Sequence, residues 1–200
     1  MNERGASFAT ATVNAKGEYE YAHDASADIQ RNPTRVVRFR APHNSAVQLF
    51  DFKNKTHRVV FGPDFIMLQP YEDITVLRIS GGIPKQENRI RNLAMLLGPD
   101  FMTDQLDVET SDHAKLRLVL AYSWRFNVDK SNKEEAMRLF QIKDFIGDAC
   151  KAMASRIRGV VSTVKFDEFH KHSSEIIRKS VFKTNAEGQQ IPFLFSENNL

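Results

Sequence analysis

The sequence is short of the residues that would commit it to a specialised class. It has one cysteine, Cys150, which excludes an internal disulfide framework and fits a reducing, cytoplasmic setting. No apolar run approaches the ~18 residues of a transmembrane helix. The opening stretch, MNERGASFAT, lacks the apolar centre of a signal peptide. Excess charge of one sign is also scarce: 28 Lys and Arg against 25 Asp and Glu leave a net +3, so no tight nucleic-acid binding is expected. There is no Gly-x-Ser-x-Gly elbow, no Gly-rich phosphate loop ending in Lys-Ser/Thr and no Gly-x-Gly-x-x-Gly. The expectation is a protein that is not an enzyme, with no catalytic, cofactor-binding or metal-binding residues. What remains is an ordinary globular composition, 42% hydrophobic and 26% charged, in a chain long enough to bury a core.

The strongest local signal is KLRLVLAYSWRFNV, residues 115–128. Leu116, Leu118, Leu120, Tyr122, Trp124, Phe126 and Val128 occupy every second position, so a strand places them on one face. So long a strand is expected to run down the middle of a sheet, or to bend between two. Its stripe needs a cover, and the helical patterns after it supply one. Ser131 and Glu134 have capping-box spacing, and Asp144 can cap a second helix whose stripe is Ile146, Cys150, Met153 and Ile157. Gly159 ends or kinks that helix. A third helix fits 167–182, facing inward with Phe169, Ile176, Ile177 and Val181.

Before the long strand, residues 1–34 show neither period and read as a disordered linker. Residues 36–80 read as short antiparallel strands punctuated by turns. The Gly-Gly, Pro84 and charges of 81–91 mark a boundary, beyond which 93–97 and 105–110 are strands. The tetrapeptide Gly-Pro-Asp-Phe occurs at 62–65 and 98–101, either as coincident turn chemistry or as a shared strand–turn–strand device. The tail has a loop at 185–190 and a strand at 191–195. The domains are therefore 1–34 linker, 35–85 antiparallel β domain and 92–200 α/β domain, the last cut short at its C-terminal end. The class is α+β, with an antiparallel sheet covered on one face by about three helices.

Each chemically suggestive residue has a plainer explanation. Cys150 lies on the apolar stripe of its helix, which suits a buried structural thiol better than a nucleophile. His170 and His172 are two apart and splay around a helix, a poor start for a metal site. His43, His57 and His113 sit in or beside turns. Asp167 and Glu168 complement a helix N-terminus. Residues 143–183 carry nine Lys/Arg and five Asp/Glu; this is a solvated face, or a contact with an acidic neighbour or a membrane surface.

Several segments together, APHNSAVQLFDF, RVVFGPDF, LLGPDF, ETSDHAKLRLVLAYSWRFNV, DFIGDACKAMASRIRGVV and KFDEFHKHSSEIIRKSVF, resemble the major vault protein family over residues 35–197. The resemblance implies that 36–85 is the last β-repeat domain and that the chain from Leu93 is the shoulder domain, similar to the stomatin/prohibitin (band 7) fold. The family's earlier repeats and its long cap helix are missing. The implied function is a non-catalytic shell component of the cytoplasmic vault ribonucleoprotein, joining barrel wall to cap. The implied partners are other copies of the same protein, a vault-associated poly(ADP-ribose) polymerase and a telomerase-associated protein. The alternative is a membrane-associated stomatin-like scaffold that meets lipid through its basic helices.

Overall fold

A computed structural model describes residues 11–13, 19–21, 34–185, 189–195 and 200. Two short strands, β1 (Ala11–Val13) and β2 (Tyr19–Tyr21), pair antiparallel within the stretch read as linker. The reading is corrected there: Thr12, Val13, Tyr19 and Tyr21 favour strand, in segments too short to register as a period. The rest of 1–33 lies outside the described residues.

The first half is a run of antiparallel strands: β3 (Arg38–Ala41), β4 (Ser45–Asp51), β5 (Thr56–Phe61), β6 (Asp64–Met67), β7 (Glu72–Ile74), β8 (Leu77–Gly81), β9 (Gln86–Asn92) and β10 (Met95–Leu96). β4 is central, with β5 on one side and β7 and β10 on the other; β3 pairs with β6, and β8 with β9. Ala41, Val47, Leu49, Ile66, Leu68 and Ala94 form a small core. Beside it, buried Glu72 takes two bonds from Arg58, at 2.7 and 2.8 Å, and a third from the Gln69 N–H.

The two Gly-Pro-Asp-Phe turns share one local structure. Both Gly–Pro bonds are cis, and each Asp carboxylate accepts the N–H of the following Phe, at 2.7 Å for Phe65 and 2.8 Å for Phe101. Each turn opens a strand. A side chain at Gly62 would collide with the Pro42 carbonyl, and Gly98 has a φ of +79° that favours glycine.

The second half opens on β11 (Asp100–Glu109) and β12 (Lys115–Trp124), in unbroken register from Asp100↔Trp124 to Glu109↔Lys115. The alternation of 115–124 is the strand expected, but its position is not. Among the described residues β12 pairs with β11 alone, so it is an edge strand and not the middle of a sheet. Its stripe, Leu116 to Trp124, is half-buried, while Met102, Leu106 and Val108 of β11 are buried. Alternation reports a covered face; it does not report a second neighbour.

Three helices follow: α1 (Lys133–Arg138), α2 (Phe145–Val161) and α3 (Phe166–Val181). The cap of α1 lies one residue later than its spacing suggested. The Asn132 side chain takes the Glu134 and Glu135 N–H groups, and Glu135 reaches back to the Asp129 N–H. Asn can cap as well as Ser, so spacing alone left the register open. α2 is capped by Asp144 as expected, and it runs straight through Gly159, which faces open space. α3 breaks locally at His172, φ −125°. A final ladder joins β13 (Lys183–Thr184) to β14 (Gln190–Ile191); the strand read over 191–195 ends at its first residue.

The larger core crosses the chain. Ala46, Leu77, Ile79, Met95 and Leu97 pack in one cluster with Leu106, Val108, Leu139, Cys150, Met153, Ile157 and Phe169. Residues 81–91, read as a boundary, are the turn and second strand of the β8–β9 hairpin. The strand read over 93–97 shrinks to β10, which joins β4 of the first half. In β9 only Ile90 is apolar, so no hydrophobic pattern marked it as a strand.

Candidate interface and inter-unit joint

The residues with the most reactive chemistry are placed for structure. Cys150 is buried, with its Sγ 3.8 Å from the Met102 Sδ. Burial, and after it the Asp104 carboxylate, pushes the thiol up to about 12, which keeps it protonated and un-nucleophilic. Burial likewise raises the Tyr122 hydroxyl. His43 is exposed, His57 stacks on Phe50 at 4.7 Å, and His113 contacts Glu109 at 2.8 Å. His170 stacks on Phe166, and His172 lies at the break in α3, so the two histidines share no ligand site. Among the described residues no three of His, Cys, Asp or Glu come together as metal ligands.

Asp167 and Glu168 lie in the first turn of α3, which has no side-chain cap of its own. The Phe166 N–H is taken instead by Asp112, from the β11–β12 turn, at 3.0 Å. Bonds from Thr110 and from that N–H hold the Asp112 carboxyl below its usual range.

A groove of about 660 Å³ lies at the end of the β11–β12 ladder. It is lined by Asp107, Glu109, Lys115, Arg117, Arg158 and Ser162. Arg117 pairs with Asp107 at 2.9 Å, and Arg158 donates to the Asp107 carbonyl at 3.2 Å. Two of its three cations are thus already engaged.

Part of the basic stretch 143–183 is engaged in the same way. Lys151 pairs with Glu87, Lys179 pairs with Glu175, and Arg156 lies over Phe193 at 4.0 Å. No helix among the described residues is long and apolar enough to cross a membrane.

The most connected polar centre is structural. Asp144 Oδ1 accepts the Ser80 N–H at 2.9 Å and the Gly147 N–H at 3.0 Å, while Oδ2 accepts the Ser80 hydroxyl at 2.6 Å. One carboxylate thus caps α2 and fastens it to β8. A second tie lies beside Gly98. Asn44 donates to the Gly98 carbonyl, the Leu97 N–H donates to Asn44 and the Phe126 N–H donates to Leu97. Trp124, Phe126 and Phe145 fill the corner with edge-on ring contacts, 5.0 to 5.7 Å between centroids. The Ser80 and Asn44 roles have no sequence motif; only the capping position of Asp144 was legible.

Exposed apolar side chains stand on two sheet faces among the described residues. The outer face of β3–β6 carries Arg38, Arg40, Phe65 and Met67, and that of β11–β12 carries exposed Phe101 and Val119.

Comparison with known proteins divides the chain at this corner. Residues 36–97 match the family described as Major Vault Protein Repeat domain, and residues 98–200 the one described as Shoulder domain. The chain is 57% identical to major vault protein alpha of Dictyostelium discoideum over 171 residues, covering 85% of this chain and 20% of that protein. It is 52% identical to the major vault protein of Diplobatis ommata over 183 residues, covering 90% and 22%. Against the Homo sapiens major vault protein it is 52% identical over 168 residues, covering 84% and 19%. The chain spans about a fifth of the length of these relatives.

Proposed function

The chain belongs to the major vault protein family, and we propose that it acts without catalysis, as the stiff corner of a self-assembling shell. The last repeat, 36–97, would contribute to a barrel wall, and the shoulder, 98–200, would turn the chain toward a cap. The observation that carries this reading is the shared core. Leu77 and Ile79 of the repeat side pack with Cys150, Met153 and Ile157 of the shoulder side, and Asp144 bonds both. A corner with one core resists bending, as a shell under lateral load requires.

The partners under this reading are other copies of the same protein, in the cytoplasm. A vault-associated poly(ADP-ribose) polymerase and a telomerase-associated protein would be partners of the finished particle. Lipid contact through α2 and α3 is not carried forward: Lys151, Arg156, Arg158 and Lys179 have partners within the chain, and no observation favours lipid for the other five cations of 143–183. The test is a chimaera in which these residues replace their counterparts in the human relative, imaged by negative-stain electron microscopy. Closed particles are expected. A chimaera that is folded and soluble yet forms no shells overturns the reading.

A further inference from the structure

Three arginines crowd one face of the β8–β9 hairpin. The register sets Arg78 directly opposite Arg91, and directly opposed residues share a face. Arg89 lies two positions from Arg91 on the same strand and so shares that face. The reverse face carries buried Leu77 and Ile79, with Ile90 opposite Ile79, and α2 packs beside it. β2 passes near β9, and all three arginines are still exposed. Among the described residues no carboxylate pairs with any of them. The one acidic residue of β9, Glu87, lies past the break in alternation at Asn88 (φ +58°) and is held by Lys151 of α2 at 2.6 Å. Like charges set directly opposite each other weaken a ladder, and no neighbouring group relieves them here.

We propose that this face binds a compact, polyphosphorylated small molecule. Arginine presents a planar fork that takes two oxygens of a phosphate at once. Cross-strand neighbours have Cβ atoms ~4.5–5.5 Å apart, so Arg78 and Arg91 can both grip one phosphate monoester, whose dianion offers three terminal oxygens. A carboxylate has one charge and two oxygens, which a single guanidinium saturates, so an acidic peptide fits the opposed pair less well. Arg89 stands ~6–7 Å from Arg91 along the strand and ~7–8 Å from Arg78 on the diagonal. The three cations therefore form a triangle and not a row. Phosphates grouped on a compact scaffold match a triangle, whereas those of a nucleic-acid strand run in line. The face also has no aromatic side chain on which a base could stack. Basic clusters that hold a bilayer count about four to eight Lys/Arg, and this face has three.

The test is isothermal titration calorimetry of the chain at near-physiological ionic strength, with inositol hexakisphosphate as the probe. Wild type should bind it saturably, and inorganic phosphate much more weakly. Arg78→Gln/Arg91→Gln should bind the probe about tenfold more weakly or worse, and Arg89→Gln about threefold more weakly. Arg38→Gln/Arg40→Gln, which removes as much charge from another sheet, should bind as wild type does. The probe should raise the melting temperature of wild type and leave that of Arg78→Gln/Arg91→Gln unmoved. Without probe, that variant should melt no lower than wild type, because an opposed like-charge pair is gone. A lower melting temperature would make the arginines structural and overturn the proposal. Absence of saturable binding overturns it as well, and so does an equal loss in the Arg38/Arg40 variant, which would report overall charge alone. Tighter binding of a single-stranded RNA or of phosphoinositide vesicles than of the probe would assign a different occupant and reject this one. The shell reading stands or falls separately, with the chimaera.

Discussion

Asp144 and Ser80 stand 64 positions apart and are joined by two hydrogen bonds, one to the Ser80 N–H and one to its hydroxyl. The same carboxylate caps α2, so one side chain holds the first helix turn and the end of β8 in a fixed relation. Asp144→Ala removes a cap worth ~1 kcal/mol and strands a buried N–H at a further ~1–3 kcal/mol. The expected loss is about 2–4 kcal/mol by chemical denaturation, with a smaller loss for Asp144→Asn, which keeps one acceptor oxygen. A midpoint shift for Asp144→Ala no larger than that of a neutral surface substitution would show that the link carries no weight.

Burial separates the two sides of the larger core. Ile157 is fully buried, whereas Leu118 of the β12 stripe is half-buried. Ile157→Ala should cost ~2–5 kcal/mol, the range for large-to-small core changes, and Leu118→Ala clearly less. Equal losses would mean that the edge strand is covered as completely as the helix interior.

Cys150 makes stability depend on alkaline pH. Its thiol is raised from 9.0 to about 12 in the fold, mainly by burial. The unfolded chain therefore ionises first as pH rises. The thiol's contribution is complete below about 9, and it is lost as pH climbs from there toward about 12. Native protein should react slowly with thiol reagents at neutral pH. Its melting temperature should fall more steeply above pH 9 than that of Cys150→Ala. Parallel pH profiles for the two proteins would contradict the burial.

Arg58 and Glu72 form the buried-side ion pair of the first half. The Arg58 hydrogen bonds, more than burial opposes, hold the Glu72 carboxyl below its usual 4.5. The pair's contribution is present above that value and fades as pH falls through the lowered one. Arg58→Met removes the carboxylate's charged partner and leaves the Gln69 N–H bond, at about 1–3 kcal/mol near neutral pH because the Arg58 side chain is half exposed. Part of that deficit should vanish in acid, where Glu72 is protonated. Denaturation midpoints of both proteins at neutral and acidic pH decide it, and a deficit independent of pH sinks the account.

Much of the fold could be read from residue spacing. The β12 alternation, the Asp144 cap and the α2 stripe of Cys150, Met153 and Ile157 report local periodicity, and periodicity survives whatever the chain packs against. The edge position of β12 could not be read, since hydrogen-bond neighbours leave no mark on alternation. β9 was missed because Gln86–Asn92 is polar at all but one position, and its pairing partner, not its composition, makes it a strand. Asn44 and Ser80 act through bonds to distant residues, which only the folded chain brings together. The repeated Gly-Pro-Asp-Phe was visible as letters, but its meaning needed the two Asp-to-N–H bonds.

The central claim is that repeat and shoulder share one core across Gly98, and differential scanning calorimetry tests it most directly. The account predicts a single transition whose van't Hoff and calorimetric enthalpies agree. Trp124 fluorescence, which reports the corner, should change in step with it. Two resolved transitions, or a van't Hoff enthalpy well below the calorimetric one, would mean that the two parts unfold independently and that no stiff corner exists.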